Sequence, residues 1–522
     1  MLLKSNTYKN ISLISKKLNF FVTKPLYNIN NILNNIINQS NQEVKLLKKS
    51  KNNSSFYFDN SLNFFNNIKL INNEPEKNDK LLILNKEKND IQNTIIDATM
   101  PLNTGKKRLV ILGTGWAGAR LAKDIDCINK YDLTVVSSTN HMVFTPLLAS
   151  SCVGTVHNQS VIENIRHLQP GLRAPQNHFY LANAYNIDSY NKTVECISSN
   201  DIKFKIGYDK LVIATGGKPL TFNIPGVYEN TYFLKNLNDS IKIRKKILEN
   251  VCLAGIPNIK SEDRNNLLHF VIVGGGPTGV EFASELCNFI NEDMCSYNPN
   301  IKSSAKITLI EGNEVLNSFD KKLSSYAVQK LIDGGVYIKK GNVNKITKKY
   351  IELDDGSIVN YGLCVWSTGI GSTQFIEKLD FKKTKNGKIV VDDLLRVYNN
   401  NNKINNDIYA LGDVCCNENN PLPPLAQVAE QHGKFLAYYL NNIDSISEDS
   451  KFIYNHFGSM VSLTTGDGIL ELGKNSKYKF TGLKSWLAWR SAYLTKLQSS
   501  KNKINIFSQW IGTYLKGREI GF

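Results

Sequence analysis

The chain has 522 residues, 42% hydrophobic and 21% charged; this is an ordinary globular balance that excludes wholesale disorder, and the length calls for two to four domains. No uninterrupted apolar run reaches the ~20 residues of a spanning helix, which excludes an integral membrane bundle. Lys and Arg outnumber Asp and Glu by 63 to 46, but the excess sits at the ends: +6 over residues 1–104, +10 over 474–518, and close to neutral between. A nucleic-acid binder carries such an excess on its folded body, so that class is set aside.

Residues 1–104 hold 22 asparagines in the first 100 positions, no Gly before Gly105 and no acid before Glu43. A basic, acid-poor, Ser-containing N-terminus with short apolar turns is the pattern of an organellar transit peptide. It predicts a mitochondrial leader followed by an Asn/Lys-rich extension. An extension without an address is the other account, and Lys16–Lys17 interrupts any secretory core.

Lys106–Leu112 is a short basic-then-apolar strand, followed at once by Gly113-Thr-Gly115-Trp-Ala-Gly118, a helix from Ala119 and a second strand at Leu133–Val136. Gly113 permits the tight turn, Gly115 lets a pyrophosphate approach the backbone, and Gly118 lets helix and strand pack closely. The acid expected after the second strand is absent; Ser137 and Ser138 stand there and offer hydroxyls. The pattern recurs 161 positions later: strand His269–Val273, then Gly274-Gly-Gly276-Pro277-Thr278-Gly279, then a helix containing Glu281. Its next strand, Lys306–Ile310, does end in an acid, Glu311. That carboxylate can accept from both ribose hydroxyls and repels a 2′-phosphate, which favours NADH over NADPH.

Leu211-Val-Ile-Ala-Thr215-Gly216 follows the first loop, and Cys364-Val-Trp-Ser-Thr368-Gly369 and Ala410-Leu-Gly412-Asp413 follow the second. A helix starting near Leu425 brings Gln427 and Gln431 onto one face, four residues apart. Nine scattered cysteines contain no C-x-x-C and no zinc spacing, so metal and disulfide frameworks are not expected. No D-x-[DN]-x-[DN]-G loop supports calcium control. At the C-terminal end, Leu483, Trp486, Leu487, Trp489, Tyr493, Leu494 and Leu497 share one broad helical arc interrupted by Arg490. A second segment repeats the pattern from Ile504 to Leu515 between Lys501, Lys503, Lys516 and Arg518. Trp and Tyr beside Lys with no acid suit a helix in the headgroup layer of an anionic bilayer, with Arg490 snorkelling to the phosphates. Packing on the chain's own body or on a second subunit is the alternative.

Two glycine loops, two Thr-Gly segments and the Gly-Asp turn, in this order over residues 106–440, resemble the two-dinucleotide-binding-domain flavoproteins. Ala426-Gln427-Val-Ala429-Glu-Gln431 and Phe144-Thr145-Pro146 are similar, within that superfamily, to the type II NADH dehydrogenases: single-subunit, membrane-surface NADH:ubiquinone oxidoreductases that pump no protons. The resemblance implies an α/β fold of two Rossmann-like, doubly wound domains with a C-terminal membrane-associating region. The FAD domain is then split over 105–235 and 371–450, around an NADH domain at 236–370, with 451–522 as the membrane-anchoring and dimerising region. It implies non-covalent FAD on Gly113, Gly115, Trp116, Ala117, Gly118, Ser137, Thr145, Pro146, Thr215, Gly216, Gly412, Asp413, Ala426 and Gln427. NADH as substrate falls on Gly274, Gly276, Pro277, Thr278, Gly279, Glu281, Glu311, Thr368 and Gly369. Glu281, Gln427 and Gln431 are the expected catalytic residues, with ubiquinone, an anionic membrane surface and a second copy of the chain as partners. A peripheral position on the mitochondrial inner membrane follows. The alternatives are a sulfide:quinone oxidoreductase, which needs two meeting cysteines such as Cys152 and Cys364, and a soluble NAD(P)H-dependent reductase of a protein partner.

Overall fold

The computed structural model describes residues 96–97, 104–297, 301, 303–445, 450–473 and 478–521. The leader and extension expected over 1–104 lie outside these residues, except for Ile96, Asp97 and Thr104. The fold is α/β, with two sheets whose cores are parallel and a C-terminal region of small sheet and two helices.

Strand Lys107–Leu112 explains the first sheet. Leu109 to Leu112 are each no more than 1% exposed, a continuous apolar run that only a strand covered on both faces can bury. It pairs in parallel with Tyr131–Ser137 on one side and Lys210–Ile213 on the other. His178–Asp188 and Ile404–Ala410 extend the parallel core outward. Antiparallel strands at Thr193–Ser198, Lys203–Gly207 and Arg396–Tyr398 complete nine with Ile96–Asp97. Strand Ile404–Ala410 therefore returns to the first sheet after the second has been built.

The second sheet is wholly parallel, in the order Tyr232–Phe233, Leu363–Trp366, His269–Val273, Lys306–Glu311, Val336–Lys340. The chain passes between the sheets twice, and the two passages are laced together. Lys218–Pro219 pairs with Ile370–Gly371, and the Leu220 carbonyl accepts from Trp366 Nε1 at 3.0 Å and Thr368 Oγ1 at 2.8 Å.

Five helices position the site: α1 (Trp116–Asp124), α2 (Pro277–Asn288), α3 (Ala426–Asn441), α4 (Leu483–Lys496) and α5 (Ser500–Lys516). Helix α3 crosses α1 closely, because Gly433 has no Cβ to collide with the Ala117 carbonyl. Arg120 of α1 holds its own Asp124 at 2.6 Å and Glu430 of α3 at 3.4 Å. Before α4, Ser459–Ser462, Gly468–Leu472 and Tyr478–Thr481 form an antiparallel sheet.

The two terminal helices depart from the expected single lipid-facing arc. Trp489, Leu497, Ile506 and Trp510 are at most 5% exposed and join one hydrophobic cluster with Phe144, Leu148, Phe270, Val280 and Phe282. Arg490 does not reach out to solvent phosphates; its guanidinium lies between the rings of Trp486 and Trp510, 4.0 and 4.5 Å from their centroids. Ser485, which lies outside that apolar arc, is fully buried. The physical reason is that the strip contains more apolar surface than one contact can cover, so the inner half packs on the body. Leu483, Leu487, Ile504, Phe507, Tyr514 and Leu515 remain outside, 42–71% exposed. Among the described residues no helix is long and apolar enough to cross a membrane.

Candidate active site between the two sheets

Both glycine loops are built the same way. Gly113 N–H donates to the Val136 carbonyl at 2.8 Å and Gly274 N–H to the Ile310 carbonyl at 2.9 Å, so each loop leaves its strand at the same register. Both glycines have positive φ, +104° and +111°, and a Cβ on either would press into the backbone just past the neighbouring strand of its sheet, at Ala214 or Ser367. Gly118 and Gly279 in turn let their helices sit against those loops. At Gly115 and Gly276 the situation is opposite: a Cβ would meet nothing within 4 Å. These open positions are the N-caps of α1 and α2, and neither has a side-chain cap. Uncapped helix N–H groups facing open space form an anion cradle, and a dinucleotide pyrophosphate fits both.

Around the first cradle the structure brings together most of the expected flavin residues. Trp116 Nε1 donates to Thr145 Oγ1 at 3.0 Å, which ties α1 to the Thr145-Pro146 turn, and Ala117 lies beneath. Thr215 Oγ1 is buried and has no hydrogen-bond partner among the described residues, next to the open position at Gly216. The Asp413 carboxylate has no hydrogen-bond partner among the described residues, although Lys235 lies close enough to feel its charge. A hydroxyl and a carboxylate without protein partners, beside an uncapped helix N-terminus, are groups that a bound flavin dinucleotide would satisfy. Ser137 is turned to the loop itself. Its hydroxyl is 2.9 Å from Thr114 Oγ1 and accepts from Thr139 N–H at 3.3 Å, so it braces the loop, while Ser138 is exposed at the mouth.

Around the second cradle, Pro277 and Thr278 are exposed at the mouth. Glu311 Oε2 accepts from Gly275 N–H at 2.5 Å and Oε1 from Asn313 N–H at 2.8 Å. Each oxygen keeps a further lone pair, so the carboxylate is fixed at the loop edge and still able to accept from ribose hydroxyls. Thr368 is committed to the Leu220 carbonyl, and Gly369 beside it is exposed.

Glu281 is 8% exposed and faces the C-terminal region. Its Oε1 accepts from Ser462 N–H at 3.1 Å and Trp489 Nε1 at 2.9 Å. Burial pushes its pKa up to about 8, against the opposing pull of those two donors. From Trp489 an aromatic line runs back to the first loop: Tyr493 at 4.6 Å, Phe144 at 5.6 Å and Trp116 at 5.2 Å between successive centroids. Helix α4 therefore connects the two dinucleotide loops through ring contacts.

Gln427 and Gln431 lie on one face of α3, as their spacing predicts, and both amides are already engaged. Gln427 Nε2 donates to the Gly458 carbonyl at 3.0 Å and its Oε1 accepts from Phe457 N–H at 3.2 Å. Gln431 makes the same two-sided contact with the Asn455 backbone, at 2.8 and 3.0 Å. The pair clamps segment 455–458 over the start of α3. Cys152 and Cys364 are buried in separate hydrophobic clusters, and burial pushes both thiols up; neither is a pre-activated thiolate.

Sequence reasoning missed several contributors. Trp489 and Tyr493 were legible only as amphipathic positions, because periodicity reports a face and not what covers it. Lys235 and His432 carry no motif. Arg518, counted with the tail's positive charge, is almost fully buried and pairs with Glu285, Glu292 and Asp293.

Paired parallel sheets, twin anion cradles and an acid on the second loop alone define a pyridine-nucleotide flavoprotein oxidoreductase. Residues 107–433 match the family model for pyridine nucleotide-disulphide oxidoreductases, and 456–519 match the model for the NDH2 C-terminal domain. The internal alternative NAD(P)H-ubiquinone oxidoreductase A1 of Solanum tuberosum mitochondria is 42% identical over 441 residues, 80% of this chain and 88% of the relative. The external NADH-ubiquinone oxidoreductase 2 of Saccharomyces cerevisiae mitochondria is 35% identical over 457 residues, 79% and 82% of the two chains. The solved structure of NDH2 from Plasmodium falciparum in complex with NADH superposes with a TM-score of 0.75 at 26% identity, covering 80% of this chain and all of that one. The chain belongs to the alternative NAD(P)H-ubiquinone oxidoreductase family, the NDH2-type branch of the pyridine nucleotide-disulphide oxidoreductases.

Proposed function

We propose that the protein is a single-subunit NADH:ubiquinone oxidoreductase that moves no protons, peripheral on the mitochondrial inner membrane. The observation that carries this reading is the asymmetry of two otherwise equivalent cradles: the strand after the second loop ends in Glu311, which lies at that loop's edge, whereas the strand after the first ends in Ser137. The first cradle takes FAD and the second takes NADH, with the ribose hydroxyls on Glu311. Bound FAD supplies the two-electron carrier between a hydride donor and a quinone. The chain's own residues supply placement. The laced passages at 218–220 and 366–371 fix the two loops relative to each other, and the uncapped ends of α1 and α2 hold the pyrophosphates. Asp413 would hold the ribityl chain and the start of α3 would stabilise charge on the flavin, while Glu281 holds a proton against Trp489. The domain division follows as residues 105–235 with 371–450 for FAD, 236–370 for NADH, and 451–522 for the C-terminal region.

Quinone approaches over the outer half of α4 and α5. Their exposed Leu487, Phe507, Tyr514 and Leu515, with exposed Lys484, Lys501 and Lys516, form an apolar and basic face suited to anionic headgroups. The same apolar face is available to a second copy of the chain, and a homodimer is part of this reading. Purified protein carrying FAD should oxidise NADH faster than NADPH with a water-soluble ubiquinone analogue as acceptor. In sealed vesicles that turnover should leave a trapped pH dye unchanged. A preference for NADPH, or no turnover with any quinone, would overturn the proposal.

A further inference from the structure

The Gly412–Asp413 turn is held from behind by a residue that no motif marks. Gly412 N–H donates to His432 Nδ1 at 3.1 Å, and both residues are buried. A backbone amide can only donate, so Nδ1 carries a lone pair. The neutral ring must then carry its proton on Nε2, and an imidazolium, protonated on both nitrogens, cannot make this bond. Phe452 fixes the ring plane, edge-to-face with centroids 4.4 Å apart and an interplanar angle of 78°. Phe452 is in turn anchored by its own N–H on the Asp393 carbonyl at 2.9 Å. His432 Nε2 has no partner among the described residues. The ring borders a shallow cleft where Lys388, Asp392, Asp393, Cys415 and Cys416 are the ionisable neighbours. Burial pushes the His432 pKa down to about 4, which keeps the ring in its accepting form at neutral pH. On the front of the turn, Asp413 has no hydrogen bond of its own to orient it, so its direction is set by the backbone that His432 holds.

We propose that His432, as the neutral Nε2–H tautomer, is a positioning residue for the flavin: it locks the Gly412 amide and thereby aims Asp413 at the ribityl chain. The test uses the FAD-loaded full chain. Nitrogen-15 NMR of histidine-labelled protein should show His432 Nδ1 without a proton and Nε2 with one. His432→Asn keeps an acceptor oxygen near the Nδ1 position, and His432→Leu keeps bulk without an acceptor. Measured by flavin absorbance retained after dilution and ultrafiltration, the leucine variant should bind FAD about tenfold more weakly, as expected for one lost buried hydrogen bond. The asparagine variant should stay within about twofold of the parent. A protonated Nδ1 in the parent, or equal FAD retention by the two variants, would overturn the role. If the leucine variant fails to fold, the NMR tautomer and the asparagine variant still decide. The role presupposes flavin at the Gly412–Asp413 turn. A parent protein that binds no FAD would sink that assignment instead, while the tautomer measurement would still report on the hydrogen bond.

Discussion

Glu281, Glu311 and the two glutamines carry proposed roles that single substitutions can test. In the folded chain the Glu281 carboxyl keeps its proton up to about 8; unfolded, it loses it near its ordinary 4.5. Between those values the folded state binds more protons than the unfolded one. This contribution therefore falls as pH rises through the window, by up to about 1.4 kcal/mol per pH unit. Glu281→Gln keeps an acceptor for Trp489 and Ser462 and removes the titration. Urea unfolding of the FAD-loaded protein at several pH values should show a flatter stability profile for the variant than for the parent. Parallel profiles would mean Glu281 is ionised in the fold. At the second loop, Glu311→Ala should narrow the preference for NADH over NADPH, because paired hydroxyl acceptance and charge repulsion are lost together. Unchanged kcat/KM for both nucleotides would remove Glu311 from the ribose. The glutamine spacing was legible in sequence, but its present use was not: a pattern four residues apart gives a shared face, and only the fold shows segment 455–458 occupying it. Replacing Gln427 or Gln431 with leucine breaks two backbone contacts each, at about 1 kcal/mol apiece. Loss of that clamp, about 2 kcal/mol in all, should slow quinone reduction by up to roughly thirtyfold and leave anaerobic flavin reduction by NADH intact. Equal loss in both half-reactions would point to misfolding instead.

At the scale of elements, both dinucleotide loops could be recognised from sequence because each glycine answers a local backbone demand within a dozen residues. Helices α4 and α5 could not be divided into inner and outer halves that way, since the partners of Trp489 and Trp510 lie hundreds of positions away in the chain. The division changes what their charges do. Lys484, Lys501 and Lys516 are exposed and free to meet lipid, whereas Lys496 pairs with Glu430 of α3 at 3.3 Å and Arg490 is sandwiched between indoles. Changing the three exposed lysines to glutamine should weaken co-sedimentation with anionic vesicles by about 1 kcal/mol per charge, more at low salt than at high. Arg490→Gln should instead lower thermal stability by roughly 1–2 kcal/mol, through loss of two desolvated cation–π contacts, with vesicle binding nearly unchanged. A reversal of these two outcomes would return Arg490 to the surface.

For the whole molecule, the sequence made the sheet class legible, because parallel strands buried on both faces read as unbroken apolar runs. It did not reveal that the C-terminal region shares a core with the dinucleotide-binding body. Trp489 and Trp510 pack with Phe144 and Phe282, and Arg518 closes on Glu285 and Asp293. In the proposed function the flavin links the NADH loop to the quinone, so the central claim is tested by following its colour without oxygen. Stopped-flow mixing of the FAD-loaded protein with NADH should bleach the flavin absorbance in one step. A second mixing with a ubiquinone analogue should restore it, with NADPH bleaching markedly more slowly. Flavin that bleaches with NADH but is not reoxidised by quinone, or is not bleached by NADH at all, would contradict the account.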